Sequence, residues 1–392
     1  MNGGAVVTDG SAFQRLYENN RTEMNICIVA GARPNFVKVA PIIRAIQSAA
    51  DNGRYVRHSL VYAGTEDDPT LEPSLFDDLR MPRPDVFLGV DCDNLNELTG
   101  QVMSAFERYL RTHPTDAVIV VDDLASTMAA AIVTKKQGIM LAHLVAGTRS
   151  FDINMPKEIN RLVIDGLSDL LFTAGLGGSS AATREGAEQS KIYMVGNILM
   201  DTLRYNHGRL HRPELCDTLA LSDRGYIVFT LNRKALIAGV ENMESMLRAM
   251  LHAAGDMPVV APLRGKAAET VGQIAARMGA EAAHLHVVSP LPYLEFGYLT
   301  AHAAGIVTDS GNVAEEATFN AVPCVTLNSY TEHMETVKPG TNVLVGEDAT
   351  LLAAEVRHIV DGQWKESSVP ERWDGRSAER IVQILIDKKN LA

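Results

Sequence analysis

Residues 305–317 read GIVTDSGNVAEEA, a stretch that predicts a buried strand, a sharp turn and a helix. The turn falls on Ser310, Gly311 and Asn312, and the residues after it have helical composition. A helix that starts directly after such a turn leaves several backbone N–H groups unpaired. Together with the positive end of the helix dipole, these groups suit a phosphate. Glu316, one turn into the helix, could then accept hydrogen bonds from a ribose.

A second interpretation of the same turn is structural. An ordinary connection between a strand and a helix, with Ser310 as the N-cap, also accounts for these residues, and such turns are common. The turn alone leaves both interpretations open, so the rest of the chain has to decide between them.

The size and charge of the chain exclude several classes of protein. A length of 392 residues predicts two domains, and the net charge of −12 argues against nucleic acid as the main partner. No apolar run is long enough to span a membrane. The cysteines are scattered without zinc spacing, which favours reduced thiols and a cytoplasmic setting; they are Cys27, Cys92, Cys216 and Cys324.

Strand-like and helix-like segments alternate along the chain and predict its fold. The predicted strands cover residues 25–31, 60–64, 117–121, 139–146, 170–173 and 191–195, and after Gly196-Asn197 they cover 226–230, 258–262, 286–288, 305–308 and 324–327. Two such βαβα series predict an α/β protein with two doubly wound, parallel-sheet (Rossmann-like) domains that face a central cleft. We expect an N-terminal extension (1–23), a first domain (24–197), a second, nucleotide-binding domain (198–375) and a C-terminal helix (376–392).

Polar residues follow the predicted strands, where ligands bind in doubly wound sheets. They are Arg33, Lys38, Asp123, His143, Glu158, Arg161, Arg233, Arg264 and Ser310. Each charge alone is explained by a solvated loop, but basic groups from several loops near one helix start predict a diphosphate site. No Gly-x-Gly-x-x-Gly follows the first strand, and no side chains have metal-ligand spacing. Neither a dinucleotide cofactor nor a metal is therefore predicted.

Taken in order, four motifs resemble the non-hydrolysing UDP-N-acetylglucosamine 2-epimerases. The motifs are Gly31-Ala32-Arg33-Pro34 with Lys38, the segment 143–161, Gly196-Asn197, and Asp309-Ser310-Gly311. The similarity runs from about Met24 to the C-terminal helix. It implies the GT-B-like fold shared with many nucleotide-sugar glycosyltransferases, a final helix that packs back on the first domain, and a homodimer.

The resemblance also implies a reaction and a set of site residues. The family interconverts UDP-N-acetylglucosamine and UDP-N-acetylmannosamine by elimination and re-addition of UDP, without a redox cofactor or a metal. By position, the catalytic residues would be Asp123, Arg161, His143 and Glu158. The UDP-binding residues would be Arg33, Lys38, Arg233, Arg264, Ser310, Gly311, Asn312, Glu316 and His333.

The chain departs from the family pattern in several motifs. Two glutamates are replaced, by Val145 in the His-x-Glu-Ala-Gly run and by Lys157 in Pro-Glu-Glu. A histidine is replaced by Asn232, a His-Pro pair by Arg264-Gly265, and an arginine by His333.

These departures leave three functions open, because valine and asparagine cannot carry protons at neutral pH. The first is a 2-epimerase in which Asp123 performs most of the proton transfer. The second is a non-catalytic paralogue that binds a UDP-sugar, and the third is a glycosyltransferase of the same fold, since fold alone does not decide the reaction.

Overall fold

The computed structural model describes residues 23–391. The predicted N-terminal extension of residues 1–23 lies outside the described residues, except for Glu23. No helix among the described residues has the length and apolar character needed to cross a membrane.

The first sheet is parallel and has the strand order β3-β2-β1-β4-β5-β6-β7. Its strands are β1 (Met24–Ala30), β2 (Val56–Tyr62), β3 (Val86–Phe87), β4 (Ala117–Val121), β5 (Met140–Leu144), β6 (Leu170–Thr173) and β7 (Ile192–Met194). All five residues of β4 are buried, as expected of a parallel strand covered on both faces. The helices of this half are α1 (Arg33–Asp51), α2 (Pro73–Leu79), α3 (Leu95–Thr112), α4 (Ala125–Lys136), α5 (Pro156–Leu167) and α6 (Leu176–Arg184).

The second sheet is also parallel, with the order β10-β9-β8-β11-β12-β13. Its strands are β8 (Ile227–Phe229), β9 (Val259–Pro262), β10 (Leu285–Val288), β11 (Gly305–Thr308), β12 (Cys324–Thr326) and β13 (Asn342–Leu344). The helices are α7 (Ile198–Asn206), α8 (Glu214–Thr218), α9 (Lys234–Ala238), α10 (Val240–Ala254), α11 (Gly265–Met278), α12 (Tyr293–Ala301), α13 (Gly311–Phe319), α14 (Met334–Val337), α15 (Ala349–Val360) and α16 (Ser377–Leu391). Short 3₁₀ turns cover Gln189–Lys191, His207–Arg209 and Gly279–Ala282.

The last helix, α16, packs on the first half of the molecule. Its buried residues Ile381, Val382 and Leu385 belong to the same apolar core as β1 and α1. The Asp201 carboxylate in α7 accepts hydrogen bonds from the N–H groups of Ser377 (3.1 Å) and Ala378 (2.8 Å), which anchors the start of α16. The predicted domain limits, after residues 197 and 375, stay a prediction.

The predicted fold class is confirmed, with two parallel sheets and helices between the strands. The strand limits differ where the apolar signal is weak. β2 begins at Val56, before the predicted residue 60, because its first part carries the polar residues Arg57, His58 and Ser59. β3 was not predicted, since a strand of two residues is too short to show a periodic pattern. β13 was not predicted either.

Candidate functional site

The cleft lies where both sheets reverse their strand order. In the first sheet the order reverses between β1 and β4, and in the second between β8 and β11. Helices leave such a point on opposite faces, so a crevice opens beyond the carboxyl ends of the strands. The two crevices share one cavity of about 570 Å³, which is lined by the loops after β1, β4, β5, β8, β11 and β12.

Most of the predicted site residues line this cavity. They are Lys38, Asp123, His143, Arg161, Arg233, Ser310, Gly311, Asn312 and His333. Four others do not belong to its lining: Arg33 is half-buried at the start of α1, Arg264 is exposed before α11, and Glu158 and Glu316 are buried elsewhere.

The turn after β11 presents open backbone donors to the cavity. The N–H of Ser310 donates to Thr308 Oγ1 (3.0 Å), and the Ser310 side chain makes no capping hydrogen bond. The N–H groups of Gly311, Asn312 and Val313 have no acceptor among the described residues. A Cβ on Gly311 would lie 3.3 Å from His333 Cδ2, so the glycine allows the imidazole to approach the turn. This arrangement can bind an oxyanion through N–H groups at a helix start.

Asp309 joins the ends of β8 and β11. Its carboxylate accepts the N–H groups of Asn232 (2.8 Å) and Arg233 (2.5 Å). The Arg233 guanidinium in turn pairs with Glu347 (2.7 Å). Arg233 therefore reaches the cavity with part of its charge already balanced.

On the opposite wall, Lys38 is paired with Asp122. Lys38 Nζ lies 2.6 Å from Asp122 Oδ1, and Asn35 Nδ2 donates to Asp122 Oδ2 (2.8 Å). Burial disfavours the ammonium, but Asp122 and Glu315 more than offset it, so the pKa of Lys38 is raised. Asp122 has a φ of 58°, a left-handed conformation that aspartate tolerates better than most residues.

Asp123 lies between two cations. Its Oδ2 accepts hydrogen bonds from Arg161 Nη2 (2.6 Å) and Nε (2.9 Å), and its Oδ1 lies 3.4 Å from Lys157 Nζ. Burial opposes ionisation, but Lys157 and Arg161 together hold the pKa of Asp123 below its usual range. The carboxylate is therefore ionised at neutral pH, although its low pKa makes it a weak base.

Arg161 also connects the two halves of the molecule. Its Nη1 and Nη2 donate to Glu332 Oε1 (2.7 Å) and Oε2 (2.6 Å) in a bidentate pair. Glu158 Oε2 accepts a further bond from Nη1 (3.2 Å). The guanidinium fork, which could hold a ligand oxyanion, is thus occupied by Glu332 in this structure.

His143 and Glu158 are engaged within the protein. The two ring nitrogens of His143 bond to Asp165 Oδ1 (2.5 Å) and to the carbonyl oxygen of Asp122 (2.9 Å). Glu158 accepts from the N–H groups of Ser150 (2.9 Å) and Phe151 (3.2 Å). Neither side chain presents a free proton-transfer atom to the cavity, and their catalytic roles stay a prediction.

Val145 has a strained backbone at the edge of the cavity. Its φ is 72°, a rare conformation for a β-branched residue, which costs on the order of 1–3 kcal/mol. Its apolar side chain adds no group that can carry a proton at this position.

Glu315 forms a buried link between the second half of the chain and residue 197. Its Oε1 accepts from Asn197 Nδ2 (2.8 Å) and lies 2.9 Å from His333 Nδ1. Burial opposes both charges, but each partner favours ionisation of the other. The pKa of Glu315 is therefore lowered and that of His333 is raised. Glu315 therefore favours the protonated form of the imidazole beside the Gly311 turn.

Glu316 points away from the main cavity. It lines a separate small cavity with Tyr293 and Asn206, whose Oη and Nδ2 atoms have no hydrogen-bond partner among the described residues. Burial, and then the neighbouring Glu315 charge, raise the pKa of Glu316 to about 8. The neutral carboxyl is therefore the main form at neutral pH.

Three residues in or beside the cleft were missed by the sequence interpretation. Asp122 stands directly before Asp123, and both line the cavity. Glu315 stands directly before Glu316; it is buried behind the lining, where it contacts His333, while Glu316 lines the separate small cavity. Glu332 lies in a loop and carries no local signal. Among residues 23–391, no three His, Cys, Asp or Glu side chains are grouped as metal ligands would be.

Comparisons with known proteins agree on one family. The family model described as UDP-N-acetylglucosamine 2-epimerase matches residues 48–386. A UDP-N-acetylglucosamine 2-epimerase of Methanocaldococcus jannaschii is 30% identical over 92% of this chain and 99% of its own. A UDP-2,3-diacetamido-2,3-dideoxy-D-glucuronate 2-epimerase of Pseudomonas aeruginosa is also 30% identical, over 92% of this chain and 99% of its own.

A solved structure supports the same relationship. The crystal structure of Methanocaldococcus jannaschii UDP-GlcNAc 2-epimerase in complex with UDP-GlcNAc and UDP has a TM-score of 0.78 to this chain at 30% identity. The match covers 92% of this chain and 99% of that one. The two chains therefore share the whole two-sheet architecture.

The raised pKa of Glu316 predicts a pH-dependent stability. Between the usual carboxyl pKa of 4.5 and about 8, the folded state retains a proton that the unfolded state has lost. Stability therefore falls as pH rises through this window, and the loss is complete above it. Glutamine does not ionise, so Glu316→Gln should not lose stability as the pH rises. The variant should therefore unfold at a higher temperature than the natural protein at about pH 9. The difference should shrink towards about pH 5.

Thermal unfolding at a series of pH values measures this effect. Glu371→Gln, at an exposed position, is the control and should follow the natural protein at every pH. Parallel curves for Glu316→Gln and the natural protein would show that Glu316 is ionised in the folded state.

Proposed function

Because this chain belongs to the UDP-N-acetylglucosamine 2-epimerase family, we propose that it inverts C2 of a UDP-linked 2-acetamido sugar. The substrate pair is UDP-N-acetylglucosamine and UDP-N-acetylmannosamine, or a close relative. The observation that carries the proposal is the shared cavity: the Asp123 carboxylate and the open N–H donors of Gly311 and Asn312 line it from opposite halves.

The reaction needs three things from the protein. A base removes the C2 proton, the C1–O bond breaks with its electrons going to UDP, and a C1–C2 double bond forms. UDP then adds back to C1, and a proton returns to C2 on the other face. The protein must therefore supply a base, stabilise the departing diphosphate, and retain both fragments in a closed cleft.

The diphosphate has a set of donors around the cavity. We assign its oxygens to the N–H groups of Gly311 and Asn312 and to the Ser310 hydroxyl. His333 lies beside this turn, and Glu315 raises its pKa, which favours the imidazolium form that would stabilise the leaving group. Lys38, Arg161 and Arg233 complete the positive side of the cavity, which they already line.

Three of the residues assigned to UDP require a movement. Arg33, Arg264 and Glu316 lie outside the cavity lining. Their assignment to the nucleotide, with Glu316 on the ribose, holds only if side chains turn or the two halves shift when the ligand binds. Such closure is common in enzymes that retain reactive fragments.

Asp123 is the proposed base for the C2 proton. It is the acidic side chain that lies in the cavity next to Lys157 and Arg161. His143 and Glu158 act through their hydrogen bonds: His143 supports Asp122, and Glu158 orients Arg161. Because the pKa of Asp123 is lowered, we expect slow turnover.

For the assembly and the compartment we propose a cytoplasmic homodimer. The four cysteines are free in the described structure, which supports a reducing compartment. The dimer follows from the family resemblance and is tested by the mass of the protein in solution.

The first functional prediction concerns the nucleotide. UDP should bind in the cleft and raise the unfolding temperature, whereas ADP should bind much more weakly. Gly311→Ala should weaken UDP binding by roughly a factor of ten, because its methyl group displaces His333 and covers the open N–H groups. Calorimetry with UDP and ADP measures both effects.

The control for that variant is Gly272→Ala, a helical position where a Cβ meets nothing within 4 Å. Its UDP affinity should equal that of the natural protein. Equal binding of UDP and ADP, or an unchanged affinity in Gly311→Ala, would contradict the assigned diphosphate turn.

The second functional prediction concerns the chemistry. In deuterated water the enzyme should place deuterium at C2 of the UDP-sugar, because the C2 hydrogen leaves and a solvent proton returns. Asp123→Asn should abolish this exchange and leave UDP affinity nearly intact, since the amide keeps the shape but cannot accept the proton. Mass spectrometry detects the label even when the equilibrium favours the starting sugar.

Asp361→Asn, at an exposed position, is the control and should exchange normally. If the natural protein binds UDP but never labels C2 in sugars that differ at C4 and C6, the isomerase proposal fails. A UDP-sugar-binding protein without turnover would then be the correct interpretation.

A further inference from the structure

Lys157 is a loosely paired cation at the wall of the cavity. Its side chain is 59% exposed, and its one ion pair among the described residues is the 3.4 Å contact with Asp123. An ammonium has three N–H donors, so most of its hydrogen-bonding capacity is directed to solvent and to the cavity.

The other cations of the cavity lie closer to protein carboxylates. Lys38 lies 2.6 Å from Asp122, and Arg233 lies 2.7 Å from Glu347. Arg161 is bound by Asp123 and Glu332, each at 2.6 Å. Lys157 therefore has more capacity for an anionic ligand than any of these three.

The charge around Lys157 is more positive than in the family pattern. Glutamates stand at positions 145 and 157 in that pattern, and this chain has Val145 and Lys157. The wall beside Asp123 thus loses two negative charges and gains a positive one. An ammonium at position 157 attracts a ligand carboxylate, and the valine at position 145 adds no negative charge that would oppose it.

We propose that Lys157 determines specificity by binding a carboxylate on the sugar, so that the preferred substrate is a UDP-linked acetamido uronic acid. This inference rests on the proposed function and specifies its substrate class. Lys157 Nζ lies 3.4 Å from the carboxylate assigned to C2, so both side chains can reach the same sugar ring. The Pseudomonas aeruginosa relative, named as an epimerase of a glucuronate derivative, shows that the family includes a member named for such a sugar.

A contact between Lys157 and the diphosphate is the competing explanation for the same cation. The two explanations differ in which ligands lose affinity when the charge of Lys157 is removed. A diphosphate partner would matter equally for UDP and for every UDP-sugar, whereas a carboxylate partner would matter for the acidic sugar alone.

The test uses a matched pair of ligands that differ only at C6. UDP-N-acetylglucosamine has a hydroxymethyl group there, and UDP-N-acetylglucosaminuronate has a carboxylate. Calorimetry compares both sugars and UDP with the natural protein and with Lys157→Gln. The natural protein should bind the uronate at least roughly tenfold tighter than the neutral sugar. Lys157→Gln should remove this preference and leave UDP affinity unchanged, and Lys157→Glu should favour the neutral sugar.

Lys136→Gln, an exposed lysine in α4, is the control and should keep the preference for the uronate. Equal affinity of the natural protein for both sugars would overturn the inference. So would an equal loss of UDP and sugar affinity in Lys157→Gln, which would assign Lys157 to the diphosphate. The binding measurement does not depend on turnover. A preference for the uronate in a protein that never labels C2 would therefore contradict the proposed reaction but still support the proposed role of Lys157.

Discussion

The Arg161 guanidinium is buried in the cleft and is bound by carboxylates from three different segments of the chain. Asp123 follows β4, Glu158 belongs to the first turn of α5, and Glu332 comes from the second half of the chain. A buried charge must be paired, and removal of one partner of a buried pair costs about 3–5 kcal/mol. The position of this one side chain therefore sets the orientation of Asp123 and the contact between the two halves.

The same pairing determines how a ligand enters the site. Lys38, Arg161 and Arg233 each have a protein carboxylate in place before any ligand arrives. Under the proposed function, a diphosphate would replace Glu332 in the Arg161 fork and bind the open donors of the Gly311 turn. Because Glu332 belongs to the other half of the chain, this exchange would couple ligand binding to the contact between the halves.

The sequence predicted the fold and much of the cleft lining, because buried parallel strands have continuous apolar runs and ligands lie at their carboxyl ends. It could not show which residue of the adjacent pair Glu315 and Glu316 contacts His333, since one step along a helix turns a side chain by about a quarter of a circle. It also could not show that Glu332 meets Arg161, because that contact joins distant loops and has no local pattern.

A crystal structure with a bound UDP-sugar tests the central claim most directly. The account predicts the diphosphate on the N–H groups of Gly311 and Asn312, the Arg161 fork released from Glu332 and directed to the ligand, and Asp123 facing C2 of the sugar. A nucleotide bound outside the shared cavity would contradict the account. So would a bound sugar whose C2 is remote from Asp123 while Arg161 keeps its bidentate pair with Glu332.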